Sequence, residues 1–115
     1  MNAKEIAIMA AKIAEENKAE DIKILCVSDL IIITDYFVIC SGMTRRHIQG
    51  LAKEIEVSLK KDKVKPYGKE GFEEGRWALL DYGDVVVHLY DKEARRYYEL
   101  ENLWADAPHL EFRTT

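Results

Sequence analysis

An α/β domain, a mixed β-sheet with helices packed on it, is the fold this sequence predicts, and three observations predict it. Helical and strand-like runs interleave in the order α-β-β-α-β-β-β-α. Two of those runs, RWALLD and VVVHLY, are joined by a tight Tyr82-Gly83 turn and read as a hairpin. A length of 115 residues, 48% hydrophobic and 33% charged, allows one core but not two, so 1–115 is read as a single domain.

Residues 2 to 17 have helical periodicity. Ile6, Met9, Ala10, Ile13 and Ala14 form an apolar stripe, and Asn2 with Glu5 makes a capping box. Asp21 opens Ile22 to Val27, a run too short and too β-branched for a helix, hence a buried strand. In SDLIIITDY the turn-forming pairs Ser28-Asp29 and Thr34-Asp35 bracket an apolar patch, Leu30 to Ile33, whose conformation the pattern leaves open. A second strand, Tyr36 to Cys40, ends at Ser41-Gly42. Thr44 begins a second helix that stacks Ile48, Leu51, Ala52, Ile55 and Leu59 on one side. Lys60 and Lys61 suit the dipole of its last turn, whereas Arg45 and Arg46 oppose that of its first. Val64 to Tyr67 is expected as a short edge strand, because Pro66 cannot donate to a ladder. A loop, GKEGFEEG, leads into the hairpin. Asp91 then caps a helix through Arg95 and Tyr98, with Leu100, Leu103 and Trp104 continuing it or forming a second short one. Pro108 starts an irregular tail.

The hairpin is the most informative stretch. Paired across Tyr82-Gly83, Asp81 is expected to face Asp84, Leu80 Val85, Leu79 Val86, Ala78 Val87 and Trp77 His88. Alternation gives one aliphatic face of Ala78, Leu80, Val85, Val87 and Leu89. The other face carries Trp77, Leu79, Asp81, Asp84, Val86, His88 and Tyr90. Apolar residues with aromatic and polar tips suit either the underside of a helix or a docking surface.

Catalytic chemistry finds little support. A net charge of −4 argues against a nucleic-acid coat but leaves room for a basic partner. No apolar run reaches membrane-spanning length, and acids interrupt the N-terminal apolar positions, so a cytoplasmic location is expected. Cys26 and Cys40 lack C-x-x-C spacing and read as buried, reduced thiols. His47, His88 and His109 lack metal-ligand spacing, and no nucleophile elbow, Walker loop or dinucleotide fingerprint is present. The Ser41-Gly42 turn before Arg45 and Arg46 resembles an anion site, although an ordinary strand-to-helix turn is preferred. Asp29 with Asp35 imitates the metal-binding acids of a nucleotidyl transferase, yet both Asp29/Asp35 and Asp81/Asp84 flank turns, where Asp is favoured anyway. Tyr97, Tyr98 and Trp104 are expected to close the core or its edge.

Three stretches, TDYFVICSG, EGFEEGRWALLDYGDVVVHLY and EARRYYELENLWADAP, resemble the ribosomal silencing factor family, also called the Iojap family. The resemblance spans 21–108, taken as the core of the domain. The hairpin keeps Gly75, Arg76, Trp77, Leu80, Asp81, Tyr82, Gly83, Asp84 and His88 of the family pattern. Ala78 stands where a larger aliphatic residue is usual, and Ile31 to Ile33 is more hydrophobic than the pattern, which points to self-association.

The resemblance implies a non-enzymatic protein, nucleotidyl-transferase-like in fold but lacking the catalytic acids, with no cofactor or metal. It implies a translation repressor that binds the large ribosomal subunit through its ribosomal protein fourteen. Bound there, it would sterically block joining with the small subunit when nutrients are limiting. In that setting Trp77, Leu79, Val86, His88 and Tyr90 are expected to supply apolar contact, while Glu70, Glu73, Glu74, Asp81 and Asp84 steer a basic partner. Gly42, Arg45 and Arg46 are candidates for an anion or peripheral ribosomal RNA contact, and a homodimer is the candidate free state. The rivals are a small nucleotidyl transferase or nucleotide-binding protein using Ser41-Gly42, Asp29 and Asp35, and a homodimeric scaffold for another partner.

Overall fold

Asn2 starts the first helix as its sequence requires. Its side chain accepts from the Glu5 amide at 2.8 Å, and the Glu5 carboxylate accepts from the Asn2 amide at 3.0 Å. In this computed structural model, which describes residues 1–71, 76–98, 102 and 104–113, that helix is α1, Ala3–Glu16. It buries Ala7, Ala10, Ala11 and Ala14, whose small side chains let it lie close on the sheet. Asn2→Ala should cost about 1 kcal/mol, lowering the melting temperature by roughly 4 °C. An unchanged calorimetric melt would show that this cap does not hold the helix.

The remaining elements follow in the expected order: β1 (Glu20–Cys26), β2 (Tyr36–Gly42), α2 (Arg45–Lys61), β3 (Gly68–Glu70), β4 (Trp77–Asp81), β5 (Val85–Asp91) and α3 (Lys92–Tyr98). The strands form one mixed sheet in the order β1-β2-β5-β4-β3, parallel between β2 and β5 and antiparallel elsewhere. The parallel pair needs a long crossover, and α2, β3 and β4 supply it. On one face α1 and α2 cover Ile22, Ile24, Val38, Cys40, Ala78, Leu80, Val85, Val87 and Leu89, all buried. The α2 stripe of Ile48, Leu51, Ala52, Ile55 and Leu59 completes this core. Cys40 is wholly buried, and burial pushes its thiol up to about 12; half-buried Cys26 is raised for the same reason. On the opposite face lies α3, capped by Asp91, whose carboxylate accepts from the Ala94 amide at 2.6 Å.

Several expectations need correction. The edge strand is Gly68–Glu70, not Val64 to Tyr67, since Val64 packs into the core and pairing starts only beyond Pro66. Its ladder joins Glu70 to Leu79 and Gly68 to Asp81. The hairpin register is also displaced by two residues. Trp77 faces Tyr90, Leu79 faces His88, and Asp81 faces Val86. The turn centres on Gly83-Asp84 rather than Tyr82-Gly83, because the Tyr82 amide donates to the Val85 carbonyl at 2.8 Å and pairs those two residues. Gly83 supplies the positive φ there, at 83°. A shift of two preserves the assignment of faces, because side chains alternate with period two. It does separate Asp81 from Asp84, so the expected repulsive pair does not form.

The tail from Pro108 is irregular as expected, apart from one bridge between Leu25 and His109, but it is tied to the sheet edge. The Cys26 amide donates to the Pro108 carbonyl at 2.7 Å, and the Leu110 amide donates to the Ile24 carbonyl at 2.9 Å. These bonds cover the open edge of β1, an edge that would otherwise invite pairing with another chain. Phe112 then enters the α1 side of the core, and Arg113 pairs with Glu15. Tyr97 is exposed and does not close the core. Leu100 and Leu103, the Tyr98 side chain, Glu73, Glu74 and Gly75 lie outside the described residues.

Candidate functional site

The aromatic face of the hairpin divides into a covered half and an open half. On the covered half, Tyr90 and Ile39 are fully buried with Leu25, Val27, Phe37, Ala94 of α3 and Ala107. His88 is buried beside them. Both residues were expected to touch a partner directly, and the structure makes them a floor instead, because α3 and the tail occupy the space above them. On the open half, Trp77, Leu79, Asp81 and Val86 are each partly exposed.

The floor fixes the orientation of Trp77. Its ring stacks on Tyr90, directly opposite in the ladder, at 5.3 Å between centroids and 25° between planes. Its indole N–H donates to His88 Nδ1 at 3.2 Å. His88 must therefore be neutral and carry its proton on Nε2, which has no hydrogen-bond partner among the described residues. Burial pushes His88 down to about 4, so the acceptor form persists far below neutrality. Phe37 meets His88 edge-on at 4.9 Å and Trp104 edge-on at 5.6 Å. Phe37 and Trp104 were not foreseen as parts of this face. Alternation along β2 would have found Phe37 once β2 was known to lie beside β5.

Around the open half lie apolar and acidic groups. The 28–35 loop returns beside the hairpin turn, with the Asp35 and Tyr36 amides both donating to the Asp84 carbonyl at 2.9 and 3.0 Å. Ile31 packs on the aromatic side, while Leu30, Ile32 and Ile33 are exposed, Ile32 completely. Glu70, opposite Leu79, flanks the strip from the edge strand. Asp81 folds back to accept from the Gly83 amide at 2.8 Å, and Asp84 is exposed. Arg76 pairs with Asp91 at 3.6 Å and Glu93 at 3.7 Å, tying the start of β4 to α3.

The Ser41-Gly42 turn is filled from within, in keeping with the ordinary strand-to-helix turn preferred from sequence. Met43 donates to His47 Nδ1 at 2.9 Å, His47 donates to Thr44 Oγ1 at 3.0 Å, and Ile48 donates to the Thr44 carbonyl. His47 Nε2 reaches the Asn17 carbonyl at 2.8 Å. Gly42 is buried against Ile48, so it offers no cradle, whereas Arg45 and Arg46 remain exposed. Beside α3, Ser41, Lys92, Arg95, Arg96 and His109 line a cleft of about 590 Å³. Its cations are partly engaged: Arg95 donates to Ser41 at 2.9 Å and Lys92 pairs with Glu20 at 2.8 Å. Among the described residues, no three His, Cys, Asp or Glu groups converge as a metal site, and no helix is long and apolar enough to cross a membrane.

Fold and surface together define a small α/β protein with one half of a sheet face left open. A family model described as Ribosomal silencing factor during starvation matches residues 1–115. Ribosomal silencing factor RsfS of Bacillus subtilis is 43% identical over 108 residues, 94% of this chain and 92% of that protein. The chloroplastic protein Iojap of Arabidopsis thaliana is 33% identical over 105 residues, 91% of this chain and 44% of that protein. A crystal structure of a protein from Chromobacterium violaceum matches with a TM-score of 0.89 at 35% identity, covering 100% of this chain and 95% of that one. The chain belongs to the ribosomal silencing factor family, which acts in translation regulation under starvation and is non-enzymatic. That membership removes the transferase alternative.

Proposed function

We propose that this protein docks on the large ribosomal subunit through ribosomal protein fourteen and sterically prevents the small subunit from joining. The observation that carries the reading is the open half of the sheet face, where Trp77 is held rigid by Tyr90 and His88. A preorganised aromatic anchor loses little entropy on binding. Leu79, Val86, Ile32 and Ile33 extend the apolar contact, and Glu70, Asp81 and Asp84 give its rim the sign that attracts a basic protein. His88 and Tyr90 contribute by positioning Trp77. In this reading the fold is a nucleotidyl-transferase-like one put to a non-catalytic use in the cytoplasm, and the exposed Leu30-to-Ile33 patch also serves a homodimer of the unbound protein.

Light scattering of purified large and small subunits tests the reading. Added in excess over large subunits, the protein should suppress the rise that marks joining. Full joining at saturating protein would rule the reading out.

A further inference from the structure

From the end of α2 to the edge strand the chain runs KKDKVKPYGK, five lysines and one aspartate over residues 60–69. That is a local charge of +4 in a chain of net −4, so the remainder carries −8. All five lysines are exposed. The helix dipole accounts for Lys60 and Lys61, and Lys69 pairs with Glu56 at 3.2 Å. Lys63 and Lys65 have no such structural role, and neither makes an ion pair among the described residues. Lys63 even takes a positive φ of 64°, in the position after a helix where glycine is easiest.

The segment is held in place along its length. Lys63 donates to the Lys60 carbonyl at 2.9 Å, Val64 to Leu59 at 3.0 Å, and Tyr67 to Asp81 at 2.7 Å. Tyr67 is 85% exposed and lies over Gly83, where an added Cβ would come within 2.8 Å of its ring. The lysines and this ring therefore sit at the same end of the sheet as Asp84 and the 28–35 loop.

We propose that Lys60, Lys61, Lys63 and Lys65, with Tyr67, form an RNA-backbone contact beside the protein-docking surface. The inference rests on the reading above, in which the target is a ribonucleoprotein. An acidic surface suits its basic protein but is repelled by the phosphates around it. A separate cationic segment on the other side of the hairpin turn removes that conflict and fixes the angle of docking. An exposed tyrosine among lysines offers a stacking plate as well as charge. An anionic membrane would call for an apolar face beside the lysines, and Val64 points into the core instead.

The test uses the full chain and the triple variant Lys61→Gln, Lys63→Gln, Lys65→Gln. Binding to purified large subunits and to isolated ribosomal protein fourteen is followed by fluorescence anisotropy between about 50 and 200 mM salt. Each lost phosphate contact removes roughly 0.7–0.9 from the slope of log affinity against log salt, so the variant's slope on subunits should be shallower by roughly 2–3. Its affinity for the isolated protein should be unchanged. Equal slopes on subunits overturn the proposal, as does an equal loss towards the isolated protein. If the wild-type chain binds subunits but not the isolated protein, the partner proposed above is wrong, and the slopes still decide the lysines. If it binds neither, both readings fall.

Discussion

Trp77→Ala is expected to bind large ribosomal subunits about thirtyfold more weakly, the loss of roughly 2 kcal/mol typical of a central aromatic anchor. Suppression of subunit joining should fall in parallel. The indole is partly exposed on the sheet, so its removal shortens the proposed docking surface while the α1–α2 core stays intact. Its loss also strips the Tyr90 ring of its stacked neighbour and His88 of its donor. Trp77→Phe helps separate these effects, because it keeps a ring over Tyr90 while removing the N–H and part of the indole's area. That variant should melt close to wild type and bind with intermediate affinity. A folded Trp77→Ala protein with wild-type affinity would exclude this half of the face as the contact.

Acid should destabilise the protein through His88. Its folded-state value is about 4, against 6.5 for the unperturbed side chain, and burial is the cause. Above pH 6.5 the ring is neutral in both states and contributes no pH dependence. Between 6.5 and 4 the unfolded chain takes up the proton and the folded chain does not, so stability falls by about 1.4 kcal/mol per unit. The accumulated loss reaches roughly 3 kcal/mol, and the contribution levels off below pH 4. His88→Gln cannot titrate and retains an acceptor for the Trp77 indole. Urea unfolding at several values from pH 7 to 4 should show the wild type losing roughly 3 kcal/mol more than the variant across that range. Parallel curves would mean that His88 is hydrated in the folded state.

The local chemistry of the chain was legible where one element settles its own geometry. Asn2 with Glu5, Thr44 and Asp91 each satisfy amides within three residues, so capping can be read without knowing the fold. The aliphatic side of the hairpin was equally legible, because period-two alternation needs no register. The group that fills the Ser41-Gly42 turn, His47, was not legible there, because it reaches back from α2 and is itself fixed by Asn17. Nothing in Ser41-Gly42 reports that contact.

The order of the elements, the helix starts, the core face of the hairpin and the family resemblance are all readable from the residues alone. These depend on periodicity, on short-range hydrogen bonds and on long ordered motifs. How the aromatic face is shared between core and surface is instead an outcome of the assembled fold. That depends on where α3 and the residues around Trp104 and Ala107 come to rest, a long-range packing outcome with no local signature. The assembled fold also decided the register, which the Tyr82–Val85 hydrogen bond and the parallel ladder to β2 set together. The result keeps Trp77 at the surface while burying the Tyr90 and His88 that hold it there.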